Sequence, residues 1–193
     1  MTLYAIMKNG GTYQVFAPDI DQYHVINHIT GEEMEEKRNV LIEAARIARG
    51  DIQSLKDFQP DEFDALIMPG GFGAAKNLST FAFDGSNCKI NGEVEKAIRG
   101  MADKGKPIGA LCISPVIVAR IFGDVELTIG QDRDTAEAVE QMGASHKKTD
   151  HGEVVVDKNR KIATTPCYML DANILQIAEG ADNVVKSMLE LME

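Results

Sequence analysis

Between Lys106 and Pro115 the chain reads Lys-Pro-Ile-Gly-Ala-Leu-Cys-Ile-Ser-Pro. Ile108 to Leu111 form a small, apolar run without polar alternation. Such a run predicts a strand covered on both faces, as in parallel sheets flanked by helices. Ser114-Pro115 predicts a helix start, with Ser as N-cap and Pro at the first helical position. Val116, Ile117, Ala119 and Ile121 then supply the helix's apolar face. Cys112 falls where the strand turns into the helix. Backbone N–H groups converge at such a turn, and the helix dipole favours a thiolate. Nucleophile elbows share this layout. A buried structural cysteine at a tight turn fits the same residues, and the local pattern does not separate the two.

The rest of the chain places that turn in a larger plan. Residues 2–8 read as the end of a helix stopped at Asn9-Gly10-Gly11. Tyr13 to Ala17 is a short strand, followed by a polar loop with His24 and His28 and an acidic, solvated run from Glu32 to Lys37. Asn39 to Arg49 is a helix, with Val40, Leu41, Ala44, Ile47 and Ala48 as its apolar set. A short edge strand is expected at Ile52 to Leu55. Asp64 to Met68 is a second buried strand, ended by Pro69-Gly-Gly-Phe-Gly73, with a short helix over Ala74 to Leu78. Phe81 to Asn91 reads as irregular and Gly92 to Lys104 as helical. Beyond the cysteine helix, Val125 to Ile129 is a strand and Asp134 to Met142 a helix capped by Asp132 or Asp134. Glu153 to Val156 and Ile162 to Thr165 form a hairpin. Tyr168 to Glu179 and Ala181 to Met192 are two closing helices.

Strands alternating with helices indicate an α/β fold with a mostly parallel sheet and helices on both faces. At 193 residues, one domain spanning 1–193 is expected. Ligand sites in such sheets lie at the carboxyl ends of the strands. The loop after Ala17, the glycine turn at 69–73 and Cys112 all meet that condition, which favours the functional reading of Cys112.

Composition narrows the chemistry. The formal charge is −10, from 30 acidic and 20 basic residues. That argues against partners recognised through nucleic-acid phosphates or an anionic membrane surface. Apolar runs are too short for a membrane helix. Cys88, Cys112 and Cys167 are odd in number and widely spaced. They read as free thiols of a reducing compartment, not as a disulfide framework or zinc cluster.

The glycine turn fails as a phosphate loop. Ala75-Lys76-Asn77 stands where a Walker loop needs Gly-Lys-Ser/Thr, and Lys76 stands where the dinucleotide fingerprint needs its third glycine. A glycine turn with free N–H groups remains. Gly71 together with the amide of Ile113 is the expected oxyanion hole; a plain strand-to-helix turn is the alternative. Gly70 and Asn77 are expected to line the site. Histidines are the usual partners of a catalytic cysteine, and His28 is the leading candidate, although no spacing ties any histidine to Cys112. Cys167, at a strand end, is a candidate resolving thiol. No metal site is expected.

Several longer words of the sequence carry a family resemblance. They are Phe16-Ala-Pro-Asp19, Val25-Ile-Asn-His28, Arg38-Asn-Val-Leu41, Glu43-Ala-Ala-Arg46, the run Pro69 to Leu78, Cys112-Ile-Ser-Pro115, Asp134-Thr-Ala-Glu137 and Thr164-Thr-Pro166. They resemble the ElbB family, a branch of the class I glutamine-amidotransferase-like superfamily that also holds cofactor-independent glyoxalases. The resemblance implies a flavodoxin-like three-layer sandwich with Cys112 at a nucleophile elbow and Gly71 and Ile113 at the oxyanion position. It implies a weak, cofactor-free conversion of glyoxal to glycolate, with a hemithioacetal on Cys112 as the first intermediate. Relatives of this family begin with a further strand, a glycine-rich turn and a glutamate. Here Met1 falls within the helix that follows, so a central strand between Tyr13–Ala17 and Asp64–Met68, and its glutamate, are expected to be missing. Poor catalysis and a weakened core would follow.

The expected partners are a small aldehyde and a second copy of the chain, and the expected location is cytoplasmic, with mitochondrial as the alternative. The competing class is a non-catalytic stress-response, redox-sensing or binding protein that retains the elbow thiol. Glutamine amidotransfer is not expected, because no histidine follows Thr165 to supply its late His-x-Glu pair.

Overall fold

The computed structural model describes Met1–Glu193 throughout. Its centre is a four-stranded sheet in the order β3-β4-β8-β7. Leu66–Met68 (β3), Ile108–Leu111 (β4) and Ile162–Thr165 (β8) run parallel, and Val155–Asp157 (β7) pairs antiparallel with β8. All four residues of β4 and all four of β8 are buried. This is the covered-strand pattern that the apolar runs predict.

Helices cover both faces. On one side lie Gly92–Asp103 (α4) and Pro115–Phe122 (α5). Val94, Ile98 and Met101 meet Ile108, Val116, Val118 and Ile162 in the larger core. Val116, Ile117 and Val118 are fully excluded from water, which is worth about 1.5–3 kcal/mol per side chain. On the other side Thr2–Lys8 (α1) packs on Ile174–Glu190 (α7). Ala5, Leu111, Ala163, Ala181 and Val184 form the second core there. This three-layer arrangement is the flavodoxin-like α/β sandwich.

Two small parallel pairs flank the centre. Val15–Ala17 (β1) pairs with Ile52–Ser54 (β2), and Val40–Ala48 (α2) crosses between them. Glu126–Leu127 (β5) pairs with Ser145–His146 (β6), joined by Arg133–Gln141 (α6). Among the sheet pairings, β1 bonds only β2, and β3 bonds only β4.

Several local expectations need correction. Tyr168–Met192 is not two helices but a 3₁₀ turn, Cys167–Met169, followed by the single helix α7. Gly180 sits inside that helix, where a Cβ would lie 3.1 Å from Thr165 Oγ1. Its missing side chain lets α7 approach β8 closely, at the roughly 1 kcal/mol that glycine costs a helix. Phe81–Asn91 holds a short helix, Phe81–Asp84 (α3), and a 3₁₀ turn, Gly85–Asn87. Ala74–Leu78 is a π-type turn. Ile47, expected on the apolar face of α2, is 79% exposed.

Candidate active site

The site is assembled where β3 and β4 end. Cys112 follows β4 directly and takes a left-handed conformation, φ 61°. That conformation costs a non-glycine residue about 1–3 kcal/mol and persists only where surroundings enforce it. Three contacts do so. The Cys112 N–H donates to Thr165 O at 2.9 Å, extending the β4–β8 ladder by one bond. The Ser114 N–H donates to Leu111 O at 3.1 Å and closes the turn. The Ser114 hydroxyl donates to Pro69 O at 2.6 Å, tying the turn to the end of β3. Ser114 therefore starts α5 without capping it by side chain. Its hydroxyl serves the tertiary contact instead.

Gly70 lies directly against the cysteine. A Cβ there would sit 2.4 Å from Cys112 Cβ, 2.9 Å from Leu111 O and 3.0 Å from Cys112 Sγ. Space alone, and not backbone conformation, demands glycine at this position. Gly71 has φ 96° and is exposed. Neither the Gly71 amide nor the Ile113 amide donates to any protein acceptor. Two unspent N–H groups thus flank the thiol on the two loops that Ser114 joins. No hydrogen bond from any side chain reaches the Cys112 sulfur.

Cys167 stands on the neighbouring strand end. Leu111 pairs with Thr165 in the β4–β8 register, and Cys167 follows two residues later. It too is left-handed, φ 45°. Burial first, and the nearby Cys112 second, push its thiol up to about 12. Cys88 is fully buried, and that burial raises its thiol as well.

Residues 12–172 match the model of the DJ-1/PfpI family. The chain belongs to the DJ-1/PfpI family. It is 44% identical to human glutamine amidotransferase-like class 1 domain-containing protein 3, mitochondrial, over 98% of this chain and 74% of that protein. A crystal structure of an isoprenoid biosynthesis protein with an amidotransferase-like domain from Ehrlichia chaffeensis superposes with a TM-score of 0.90 at 32% identity, covering 98% of this chain and 88% of that one. Glyoxalase III from Candida albicans shares the fold, with a TM-score of 0.60 at 15% identity over 100% of this chain and 85% of that one.

The other expected site residues of this DJ-1/PfpI chain are placed less centrally. His28 is exposed in the turn that Gly31 N–H closes onto Asn27 O, and it makes no hydrogen bond. The histidine that reaches the glycine loop's helix is His24. Its Nδ1 lies 3.2 Å from Lys76 Nζ, and its Nε2 lies 3.7 Å from Glu33 Oε2. Asn77 uses its Oδ1 to accept the Tyr23 N–H at 2.9 Å. It pins the 20s loop to the 74–78 turn. The sequence signal for this contact was the Tyr23-His24 pair after β1, in the loop expected at the active edge.

A surface concavity of about 700 Å³ lies elsewhere, between residues 147–155 and α7. It is open, and charged side chains such as Lys147, Lys186, Glu153 and Glu179 line much of it. No cluster of three or more metal-ligating side chains is present, and no helix is long and apolar enough to cross a membrane.

Proposed function

We propose that the chain is a cofactor-independent glyoxalase-like enzyme of the ElbB branch, acting on glyoxal and similar small dicarbonyls through Cys112. The supporting observation is the left-handed Cys112 flanked by the unspent amides of Gly71 and Ile113. A thiolate with two free donors on the loops beside it suits attack on a carbonyl, because such donors stabilise the negative charge that develops on the carbonyl oxygen.

The balanced sequence needs no external redox partner. The Cys112 thiolate adds to one aldehyde carbon and its oxygen becomes an alkoxide held by the two amides. Through water, the proton on that carbon moves to its neighbour, the alkoxide becomes the thioester carbonyl, and the neighbour's oxygen takes up a proton to become a hydroxyl, so the first carbon is oxidised and the second reduced. The product is a glycolyl thioester. Water then cleaves the C–S bond, releasing glycolate and restoring the thiol.

Because no side chain hydrogen-bonds the Cys112 sulfur, water carries the proton in this scheme. A positioned acid–base group contributes roughly 10²–10⁴-fold, so slow turnover is expected. The glyoxalase III fold of the Candida relative supports the reading at the level of the scaffold. The mitochondrial name of the human relative favours a mitochondrial over a cytoplasmic location. The test is glyoxal loss with glycolate appearance, followed in the chain and in Cys112→Ser. Glycolate formation that vanishes with the sulfur supports the enzyme; equal rates in both proteins reject it.

A further inference from the structure

Cys167 has no task in the aldehyde chemistry, yet it is held beside the nucleophile. Neighbouring strands lie about 4.8 Å apart. A disulfide needs its two Cα atoms within about 4.4–6.8 Å. The β4–β8 register ends with Leu111 opposite Thr165, and the Cys112 N–H donates to Thr165 O at 2.9 Å, so Cys112 sits against the chain two residues before Cys167 at the strands' carboxyl ends. The left-handed turn at each cysteine bends the chain just past the last ladder bond. Both thiols are free and partly accessible, whereas Cys88 is sealed in the core.

We propose that Cys112 and Cys167 form a dithiol site that reduces hydroperoxides, closing an intrachain disulfide across the ends of β4 and β8. The Cys112 thiolate attacks the distal oxygen of a hydroperoxide. The O–O bond breaks, Cys112 becomes a sulfenic acid and the leaving alkoxide or hydroxide takes up a proton. Cys167 then attacks the Cys112 sulfur. The S–O bond breaks, hydroxide leaves and takes the Cys167 proton as water, and the S–S bond forms. A small thiol reductant such as glutathione restores both thiols by two successive exchanges.

The two environments divide these roles. Burial and the nearby Cys112 keep the Cys167 thiol protonated, which slows its direct oxidation, so oxidant enters at the elbow. Capture by the second thiol protects Cys112 from irreversible oxidation to the sulfinic acid. The proposal uses Cys112 as a nucleophile but does not require aldehyde turnover, so thiol chemistry tests it separately.

The experiment treats the full chain with one to a few equivalents of hydrogen peroxide, then alkylates and maps peptides by mass spectrometry. The wild-type chain is expected to lose two hydrogens, gain no oxygen, and yield a linked 112–167 peptide pair that dithiothreitol separates. Cys167→Ser is expected to hold a dimedone-reactive sulfenic acid at 112 and to pass on to the sulfinic acid at higher peroxide. Cys112→Ser and Cys112→Ala are expected to leave Cys167 alkylatable under the same conditions, with circular dichroism confirming that each is folded. The proposal is overturned if wild type accumulates oxygen on Cys112 while Cys167 stays alkylatable. It is equally overturned if the bond joins two chains or Cys88, or if Cys167 oxidises unchanged without Cys112.

Discussion

The elbow region and the β1–α2–β2 wing are built from similar local signals but packed very differently. β4 and β8 are buried along their whole length, and α5 buries six of its eight residues. α2 buries none of its nine, and Ile42 and Ile47 stand 65% and 79% exposed. Rigidity follows burial. The elbow can hold Cys112 in an unfavourable conformation because β3, β8 and α5 fix its neighbours on every side. The wing rests on a two-stranded pair and an aromatic group, with Phe16 edge-on to Phe58 and Phe63 at 5.2 and 5.4 Å.

This contrast ranks the effects of substitution. Gly70→Ala is expected to be the most damaging to activity. Its methyl would collide with Cys112 and with the Leu111 carbonyl, moving the Cys112 sulfur by a sizeable fraction of an ångström. A displacement of about 1 Å can cost roughly 10²-fold in rate, and glycolate production should fall on that scale while the fold survives.

Next is Gly109→Ala, in the middle of β4. The added Cβ would meet Met188 Sδ at 2.5 Å and Ile67 Cγ1 at 2.9 Å. Overpacking of this kind costs about 1–3 kcal/mol, which urea denaturation should register as a lower midpoint at unchanged slope.

Asp182→Asn comes third and gives the comparison a pH dependence. Asp182 is buried on α7 and accepts from Lys186 at 2.7 Å, Lys8 at 3.0 Å and Asn9 at 2.8 Å. Those donors hold its carboxyl well below the ordinary value of 3.8. A carboxylate depressed in the fold stabilises above its unfolded value and loses that contribution as pH falls through the folded one. The wild type should therefore shed this share of stability from about pH 4 downward. The variant should melt lower at neutral pH, and its deficit should shrink on acidification; an equal deficit at pH 7 and pH 3 would break the account.

The smallest effect is expected on the wing. Ile47→Ser removes an exposed side chain and should change stability by no more than about 0.5 kcal/mol. A loss of 2 kcal/mol by thermal melting would show that the α2 face is covered in solution.

Much of the central layer was legible because its signals are local. The β4 run, the α5 start and the Asp132 cap of α6 each depend on a few adjacent residues. Asn91 and Asn39 cap their helices through the same short-range hydrogen bonding. The errors fell where distant residues set local structure. Gly180 reads as a helix stop until β8 is seen beside it, although Ile177, Ala181, Val184, Val185 and Met188 keep one buried stripe running through it. Ser114 reads as an N-cap until Pro69 takes its hydroxyl. His24 and His28 are alike as loop residues, and only the position of Lys76 separates them.

The sequence by itself determined that a cysteine ends a buried parallel strand at a helix start, with a glycine turn after another such strand. Adjacent residues suffice for that, because backbone hydrogen bonding and apolar periodicity act over a few positions. Tertiary structure alone decided that Gly70 presses on Cys112, that Ser114 ties the two loops, and that Cys167 stands near Cys112. Those relations join residues 42 to 55 positions apart through the order and register of the sheet. Strand order and register are set by the packing of whole layers, and no single stretch of chain encodes them.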